Sequence, residues 1–333
     1  MASPGARNLI TDVAGVTVGN AEDAVVNTGT TVVLCDEPAA AAVSVAGGGP
    51  GTRETDLLDA GRLVQRVDGV VLSGGSAYGL GAADGVCAVL GAAGRGFGLS
   101  GRPGVPKTPI VPAAILYDLA NGGNKDWGTT PPYPGLGRKA AAAASDAILL
   151  GKAGAGLGAR AGQHPGGLGS ASIVTGDGYT VGALAAVNCF GSVYMPGSGV
   201  FWAWPFERDG EFGGARPAGN EAFDPEDWGD AKLNPQPGQN TTIACIATDA
   251  DLLPTDCQRV ADMALSGFSR AIRPVFAPFD GDAVFVLATG RVPVNEATRA
   301  LTITRLGELA AGTLARAIAR GVFHAAPSSA PMA

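Results

Sequence analysis

The chain is poor in the side chains on which most triads and metal sites depend. Its 333 residues include only two histidines, His164 and His324. A Ser-His-Asp triad or a multi-histidine metal site is therefore disfavoured, and acid–base work would fall to carboxylates, amines or amides. The five cysteines show no C-x-x-C spacing. That pattern argues against zinc and disulfide frameworks and indicates thiols in a reducing compartment.

Basic clusters and long apolar runs are also lacking. The net charge is −7, no run of Lys or Arg occurs, and the sequence pI is near 4.9. We therefore expect no nucleic-acid partner and no anionic membrane surface. No stretch of about 18 strongly apolar residues indicates a membrane span. The N-terminus lacks the regions of a signal peptide, so we expect a cytoplasmic protein.

What the chain has in abundance is apolar side chains and glycine. Apolar residues make up 46% of it, and 52 residues are glycine. This composition predicts one large α/β domain over residues 1–333, with many tight turns. Hydrophobic periodicity predicts strands at 29–35, 41–46, 172–175, 179–188, 241–248 and 283–288, and helices at 256–272 and 297–322. Helix propensity predicts a further helix at 138–150.

A glycine turn follows the predicted strand at Val70–Leu72. Gly74 and Gly75 lie at this turn, and a helical pattern comes next. The dinucleotide fingerprint G-x-G-x-x-G is absent there, so we expect no nucleotide and, with no metal ligands either, no cofactor. Backbone N–H groups at a helix start could line a polar pocket. The alternative is a turn required only for packing.

The most informative stretch starts at Thr241. Residues 205–240 are rich in Pro, Gly and charge and predict a solvated linker, whereas Thr241 opens a β-branched, apolar run. A hydroxyl at the start of a buried strand could attack the Asn240 carbonyl and break the chain. Thr241 would then carry both a nucleophile and an α-amine. The alternative is a turn that leads into an ordinary strand.

Seven segments, taken in order, give the chain a family resemblance. They are residues 10–19, 49–56, 74–80, 121–128, 166–172, 240–249 and 279–282. Together they resemble the self-processing, DmpA-like N-terminal-nucleophile hydrolases of the P1 family. That family includes L-aminopeptidase/D-esterases, β-aminopeptidases and nylon-oligomer hydrolases.

The resemblance implies a fold, an activity and an assembly. The fold is an αββα sandwich of the DmpA/ornithine-acetyltransferase type. Cleavage between Asn240 and Thr241 would give an N-terminal subunit, 1–240, ending in a flexible linker at 205–240, and a C-terminal subunit, 241–333. The processed heterodimers would assemble as a tetramer. The substrates would be small peptides, amino-acid amides or esters, or short ω-amino-acid oligoamides.

The resemblance also implies roles for individual residues. Asn188 falls where the family has an amide that stabilises the oxyanion, and a side-chain N–H suits that task. Asp280 and Asp282 fall where nylon-oligomer hydrolases have two carboxylates near the nucleophile. Two adjacent carboxylates can hold one pKa up, so that one of them serves as a base. Tyr117 falls at a pocket tyrosine. The alternatives are a strand-end Asn, an Asp-Gly-Asp turn and a core aromatic.

One position departs from the family. Relatives have a lysine where this chain has Gln163, which donates a hydrogen bond but brings no charge. Lys152 or Arg160 could supply the cation instead, or processing could be slow. Two other functions fit the sequence: an acyltransferase of the related fold, and an unprocessed binding protein that keeps the pocket at Gly74 and Gly75.

Overall fold

The computed structural model describes residues 2–98, 103–219, 224–232 and 240–326. Its strands are β1 Val16–Asp23, β2 Thr28–Val45, β3 Thr52–Arg53, β4 Arg66–Ser73, β5 Ala113–Ile115, β6 Arg160–Ala161, β7 His164–Pro165, β8 Gly167–Val174, β9 Thr180–Asn188, β10 Thr241–Ala250 and β11 Ala283–Val292. Its α-helices are α1 Ala82–Ala92, α2 Tyr133–Ala142, α3 Pro254–Ser269 and α4 Arg299–Ala325. Short 3₁₀ turns lie at Ile10–Asp12, Asp56–Leu58, Ser76–Gly81, Gly154–Gly156, Trp204–Phe206 and Glu296–Thr298.

Strand β2 joins the two halves of the fold. On one side it pairs with β4, and on the other it pairs first with β1 and then with β11. Within the described residues, the main hydrogen-bonded path runs β3-β5-β4-β2-β11-β10-β9-β8. The register of β2 against β4 shifts between Leu34 and Ala39. At this bend β2 passes from its pairing with β1 to its pairing with β11.

The faces of β2 show that four layers are stacked. Val33 and Ala41 belong to one core, which also contains Leu72 of β4 and Phe285 of β11. Before the bend, the opposite face of β2 packs with α1 and α2, and after it that face packs with α3 and α4. The strand therefore keeps one face toward the inter-sheet core while its other face changes helix layer. This arrangement is the predicted αββα sandwich, and the fold prediction is confirmed.

Two predicted elements differ from the structure. The runs at 29–35 and 41–46 form one strand, Thr28–Val45, because β4 pairs with it on both sides of the polar bend, at Thr30–Leu34 and at Ala39–Ala40. The helix predicted at 138–150 spans Tyr133–Ala142 instead. It begins earlier because prolines fit its first turn. It ends earlier because Ser145 exchanges backbone hydrogen bonds with Val18 of β1.

Helix α3 is capped at its start by the side chain of Asp256. Asp256 accepts a hydrogen bond from the Leu253 N–H at 2.9 Å, so it caps the first turn. Asp256 also pairs with Arg299 at the start of α4. The cap therefore ties the two helices of one layer together.

The predicted linker is partly packed in the residues that the structure describes. Glu207 accepts hydrogen bonds from the backbone N–H groups of Phe212 at 2.9 Å and Gly214 at 2.8 Å. Phe212 and Ala231 are buried. Composition predicts that these residues are solvated, but they are buried. Phe212, one of the few apolar side chains of the linker, packs in the core that contains α3 and α4. Residues 220–223 and 233–239 lie outside the described part of the chain. No helix within the described ranges is long and apolar enough to cross a membrane.

Candidate active site

Thr241 is the first residue of β10 and is only 2% exposed. Its hydroxyl donates a hydrogen bond to the carbonyl oxygen of Asn240, the residue before it. The same oxygen accepts a hydrogen bond from the Gly281 N–H at 3.1 Å. The carbonyl group at the predicted cleavage bond therefore lies between a hydroxyl and a backbone donor.

The pairing of β10 with β11 places Asp280 and Asp282 beside this bond. The two strands are parallel, with Ile243 opposite Ala283, and Asn240 forms a bridge with Asp280. Asp282 accepts hydrogen bonds from the N–H groups of Thr242 at 2.6 Å and Phe276 at 3.2 Å. The structure thus brings together the nucleophile and both carboxylates that the sequence singled out.

Both carboxyl groups are 1% exposed, and burial disfavours their charged forms. Burial raises the pKa of Asp280 to about 6, while the Ala277 N–H and the Lys232 ammonium oppose the rise. Burial and the neighbouring Asp280 charge raise the pKa of Asp282 to about 8. At neutral pH the pair therefore holds about one proton, so one carboxylate can accept a proton while the other can donate one.

The chain leaves little room around the nucleophile, and glycine makes this approach possible. A Cβ at Gly281 would lie 2.7 Å from Thr241 Oγ1 and 2.8 Å from the Gly49 carbonyl oxygen. The Gly49 N–H in turn donates to the Asp280 carbonyl oxygen at 2.7 Å. The loop at 49–56, one of the segments that carry the family resemblance, therefore supports the turn that holds Asp280 and Asp282.

Asn188 lies opposite Thr241 in the β9–β10 register and is fully buried. Its Oδ1 accepts a hydrogen bond from the Arg160 N–H at 2.9 Å, and its Nδ2 donates to the Tyr117 carbonyl at 3.0 Å. Asn121 Nδ2 also donates to Oδ1 at 3.4 Å. These partners fix the orientation of the Asn188 amide. Tyr117 contributes its backbone here and its side chain is half-buried, so its role as a pocket residue stays a prediction.

The glycine turn at Gly74 and Gly75 is occupied by contacts within the protein. Gly75 has a φ of +89°, and a Cβ there would lie 2.0 Å from the Tyr133 ring. The Gly75 N–H donates to Asp118 at 2.7 Å, and the Gly74 N–H donates to the Gly29 carbonyl at 2.9 Å. These contacts favour the packing interpretation of the turn, and contact with substrate stays a prediction.

Neither cation that the sequence offered as a substitute for the family lysine points toward the aspartates. Lys152 donates to the Ala159 carbonyl at 2.8 Å, and the Arg160 guanidinium donates to the Gln163 carbonyl at 2.9 Å. A different lysine, Lys232, donates to the Asn188 carbonyl at 3.1 Å, and its charge lowers the pKa of both carboxyl groups. Sequence reasoning missed it. The available signal was that Lys232 is the one charged residue among the ten before Thr241.

Metal chemistry has no obvious donor set at this site. Across the described ranges, no group of three or more His, Cys, Asp or Glu side chains is arranged to hold a metal ion.

The site thus combines a hydroxyl at the start of an internal strand with two buried carboxyl groups, in a four-layer αββα sandwich. The sequence matches peptidase family S58 over residues 8–332, and the chain belongs to this family. It is therefore an enzyme that hydrolyses peptide-type amide bonds.

Several relatives agree with this assignment. An uncharacterized aminopeptidase of Mycobacterium tuberculosis is 42% identical over 96% of this chain and 95% of its own length. A 6-aminohexanoate-oligomer endohydrolase of a Kocuria species is 30% identical over 87% of this chain and 77% of its own length.

Solved structures show the same fold. The β-aminopeptidase of a Burkholderia species has a TM-score of 0.69 at 25% identity, covering 96% of this chain and 88% of that one. The L-aminopeptidase D-Ala-esterase/amidase of Ochrobactrum anthropi, described as a variant of the Ntn hydrolase fold, has a TM-score of 0.67 at 19% identity, covering 97% of this chain and 88% of that one.

Proposed function

We propose that the chain cleaves itself between Asn240 and Thr241 and then uses Thr241 as the nucleophile of an amide hydrolase. The observation that carries this proposal is the hydrogen bond from the Thr241 hydroxyl to the Asn240 carbonyl, with the Gly281 N–H on the same oxygen. Hydroxyl and carbonyl are thus in contact before any reaction. A donor is also aimed at the oxygen on which negative charge develops.

In the first stage the Thr241 oxygen attacks the Asn240 carbonyl carbon. The ionised carboxylate of the acidic pair formed by Asp280 and Asp282 accepts the hydroxyl proton. The carbon–nitrogen bond then breaks as the nitrogen of Thr241 takes up a proton, which leaves an ester between the two residues. Water hydrolyses this ester. The products are a carboxylate at Asn240 and a free amine and hydroxyl on Thr241.

In the second stage the same hydroxyl attacks the carbonyl carbon of an amide substrate, and the carbon–nitrogen bond breaks as the amine leaves. Water then hydrolyses the ester on Thr241, which releases the acid and restores the hydroxyl. The free α-amine of Thr241 has an ordinary pKa of about 7.7–8, and a neighbouring carboxylate raises it. Much of the amine is then protonated at neutral pH. Asp280, with a pKa of about 6, is the better proton acceptor. The amine and the protonated Asp282 remain to orient the substrate or to protonate the leaving amine, and Asn188 stabilises the oxyanion.

The substrates we propose are small peptides, amino-acid amides or esters, and short ω-amino-acid oligoamides. The names of the relatives support this range, since they include aminopeptidases and a 6-aminohexanoate-oligomer endohydrolase. The burial of Thr241 in the uncleaved chain supports a requirement for cleavage before substrate can reach it.

Intact mass spectrometry of freshly purified and of incubated protein tests the proposal. The wild type should separate into two chains that meet at Asn240 and Thr241. Thr241→Ala should remain one chain without amidase activity, whereas Thr241→Ser, which keeps a hydroxyl, should still cleave. Cleavage at this bond in Thr241→Ala would move the nucleophile elsewhere, with Thr242 as the next candidate.

We also propose a cytoplasmic location and a tetramer of processed heterodimers. All five cysteines are free in the structure, which supports a reducing compartment. The assembly rests on the family resemblance, and light scattering of the processed protein measures it directly.

A further inference from the structure

We infer that Lys232 is a positioning residue that keeps the acidic pair, Asp280 and Asp282, singly ionised before and after chain cleavage. The inference rests on the proposed function, because it assigns the ionised carboxylate of that pair the role of proton acceptor. Lys232 acts through Asp280 and Asp282, not on the substrate itself.

Both ends of Lys232 are hydrogen-bonded to the end of β9 and the residues just after it. Its backbone N–H donates to the Phe190 carbonyl at 2.9 Å, and its ammonium donates to the Asn188 carbonyl at 3.1 Å. Asn188 is the register partner of Thr241. A lysine from the segment that precedes the cleavage bond is therefore seated one strand away from the nucleophile.

The loop that delivers Lys232 is fixed by its neighbours. Gln163 donates its backbone N–H to the Asp230 carbonyl at 2.8 Å and its side-chain amide to the Ala231 carbonyl at 3.3 Å. His164 contacts the Asp230 carboxylate at 2.9 Å. Gln163, at the position where relatives have a lysine, therefore holds in place the loop that carries Lys232.

A second attachment lies further upstream, on helix α4. Glu211 pairs with the buried Arg316 of α4 at 2.5 Å. This attachment and the loop contacts both precede residue 233, so a break after Asn240 removes none of them. Lys232 therefore stays in the processed enzyme.

The charges around the ammonium explain what it does. Four ionisable groups act on it: Cys189, Asp280, Arg160 and Asp282. Burial lowers the pKa of Lys232 to about 8, the negative charge of the two carboxyl groups opposes this fall, and the Arg160 guanidinium adds to it. The lysine is therefore mostly charged at pH 7. Its positive charge lowers the pKa of both buried carboxyl groups and so favours the singly ionised pair that the mechanism needs.

The pH dependence of hydrolysis separates this electrostatic role from a merely structural one. We propose to measure kcat/KM against pH for processed wild type, Lys232→Met, Lys232→Arg and Lys139→Met, with an L-amino-acid 4-nitroanilide as probe. Lys139 is an exposed lysine on α2, so its replacement makes the same net charge change far from the site. The rate of chain cleavage against pH is followed in parallel by intact mass.

Loss of the ammonium makes Asp280 harder to ionise, so the acid limb of both profiles should move up by roughly 0.5–1 pH unit in Lys232→Met. Lys232→Arg should restore the limb, and Lys139→Met should leave it in place. If Lys232→Met does not fold, Lys232→Gln keeps a hydrogen-bond donor without the charge and gives the same comparison.

An unmoved acid limb in the uncharged variant would overturn the inference. A folded, uncharged variant that does not cleave at any pH would also overturn it, because a charge effect must be relieved as pH rises. These failures differ from failure of the proposed function, which would show as cleavage in Thr241→Ala.

Discussion

Replacing Asp280 with asparagine tests the assignment of the catalytic base most directly. The change removes the ionisable group and keeps its shape. Asp280 Oδ2 accepts one hydrogen bond, from the Ala277 N–H at 3.2 Å, and an asparagine oxygen can still accept it. The same change at Asp282 is less clean, since two backbone N–H groups donate to its two oxygens. One of them would lose its acceptor, at a cost of about 1–3 kcal/mol.

The expected size of the effect follows from the Asp280 pKa of about 6. The ionised form is the active one, so activity rises with pH through this value. At pH 5 about one tenth of the carboxyl groups are ionised, and kcat/KM should fall about tenfold for each pH unit below 6. A second limb near pH 8 is expected as Asp282 loses its proton, which makes the profile bell-shaped.

The assay is kcat/KM against pH for wild type, Asp280→Asn and a control, Asp146→Asn, whose carboxylate is exposed. Each protein is first checked by intact mass, and only processed chains are compared. Asp280→Asn should lose the limb near pH 6, with kcat lower by roughly 10²–10⁴. The double change with Asp282→Asn should cost little more than the worse single change, since residues that act as a unit are not additive.

The result that would refute this reasoning is a processed, folded Asp280→Asn enzyme with near-wild-type kcat and an unchanged acid limb. The proton acceptor would then be the Thr241 α-amine, and the limb would report its deprotonation.

Two further predictions concern the groups around the nucleophile. Gly281→Ala should slow chain cleavage at least about tenfold, because the new methyl group would lie 2.7 Å from Thr241 Oγ1. The control is Gly135→Ala, where the added carbon has no atom within 4 Å and cleavage should keep its wild-type rate. Equal cleavage rates by intact mass in both variants would show that this close approach is unimportant. Asn188→Ala should lower kcat by roughly 10²–10³, the scale of one lost oxyanion donor, and should leave the Arg160 N–H without its acceptor. Unchanged kcat with lower thermal stability would reduce Asn188 to a structural role.

The elements that could be predicted from the sequence are those with strong local patterns. The helix expected at 256–272 is found at Pro254–Ser269, and the one expected at 297–322 is found at Arg299–Ala325. The strand that starts at Thr241 begins where it was expected. In each case an apolar periodicity and a nearby start or stop signal lie within a few residues of one another, so no distant part of the chain is needed to fix the element.

Part of the site is local in the same sense. Asp280 and Asp282 were expected to act together because residues two apart in an extended segment share a face. Thr241 was expected at the head of a strand because its neighbours are β-branched and apolar. The local pattern therefore singled out Thr241, the family resemblance supplied Asn188, Asp280 and Asp282, and their catalytic roles stay predictions.

Tertiary structure decided everything that depends on residues distant along the chain. The parallel register of β10 and β11 brings Asp282 to the Thr242 N–H and the Gly281 N–H to the Asn240 carbonyl. Strand β2 stays continuous through its polar bend because three separate strands pair with it. Lys232 lies in a stretch whose composition predicts a solvated linker. Only the contacts of its loop with Gln163 and with the end of β9 bring its charge within electrostatic range of two buried carboxyl groups.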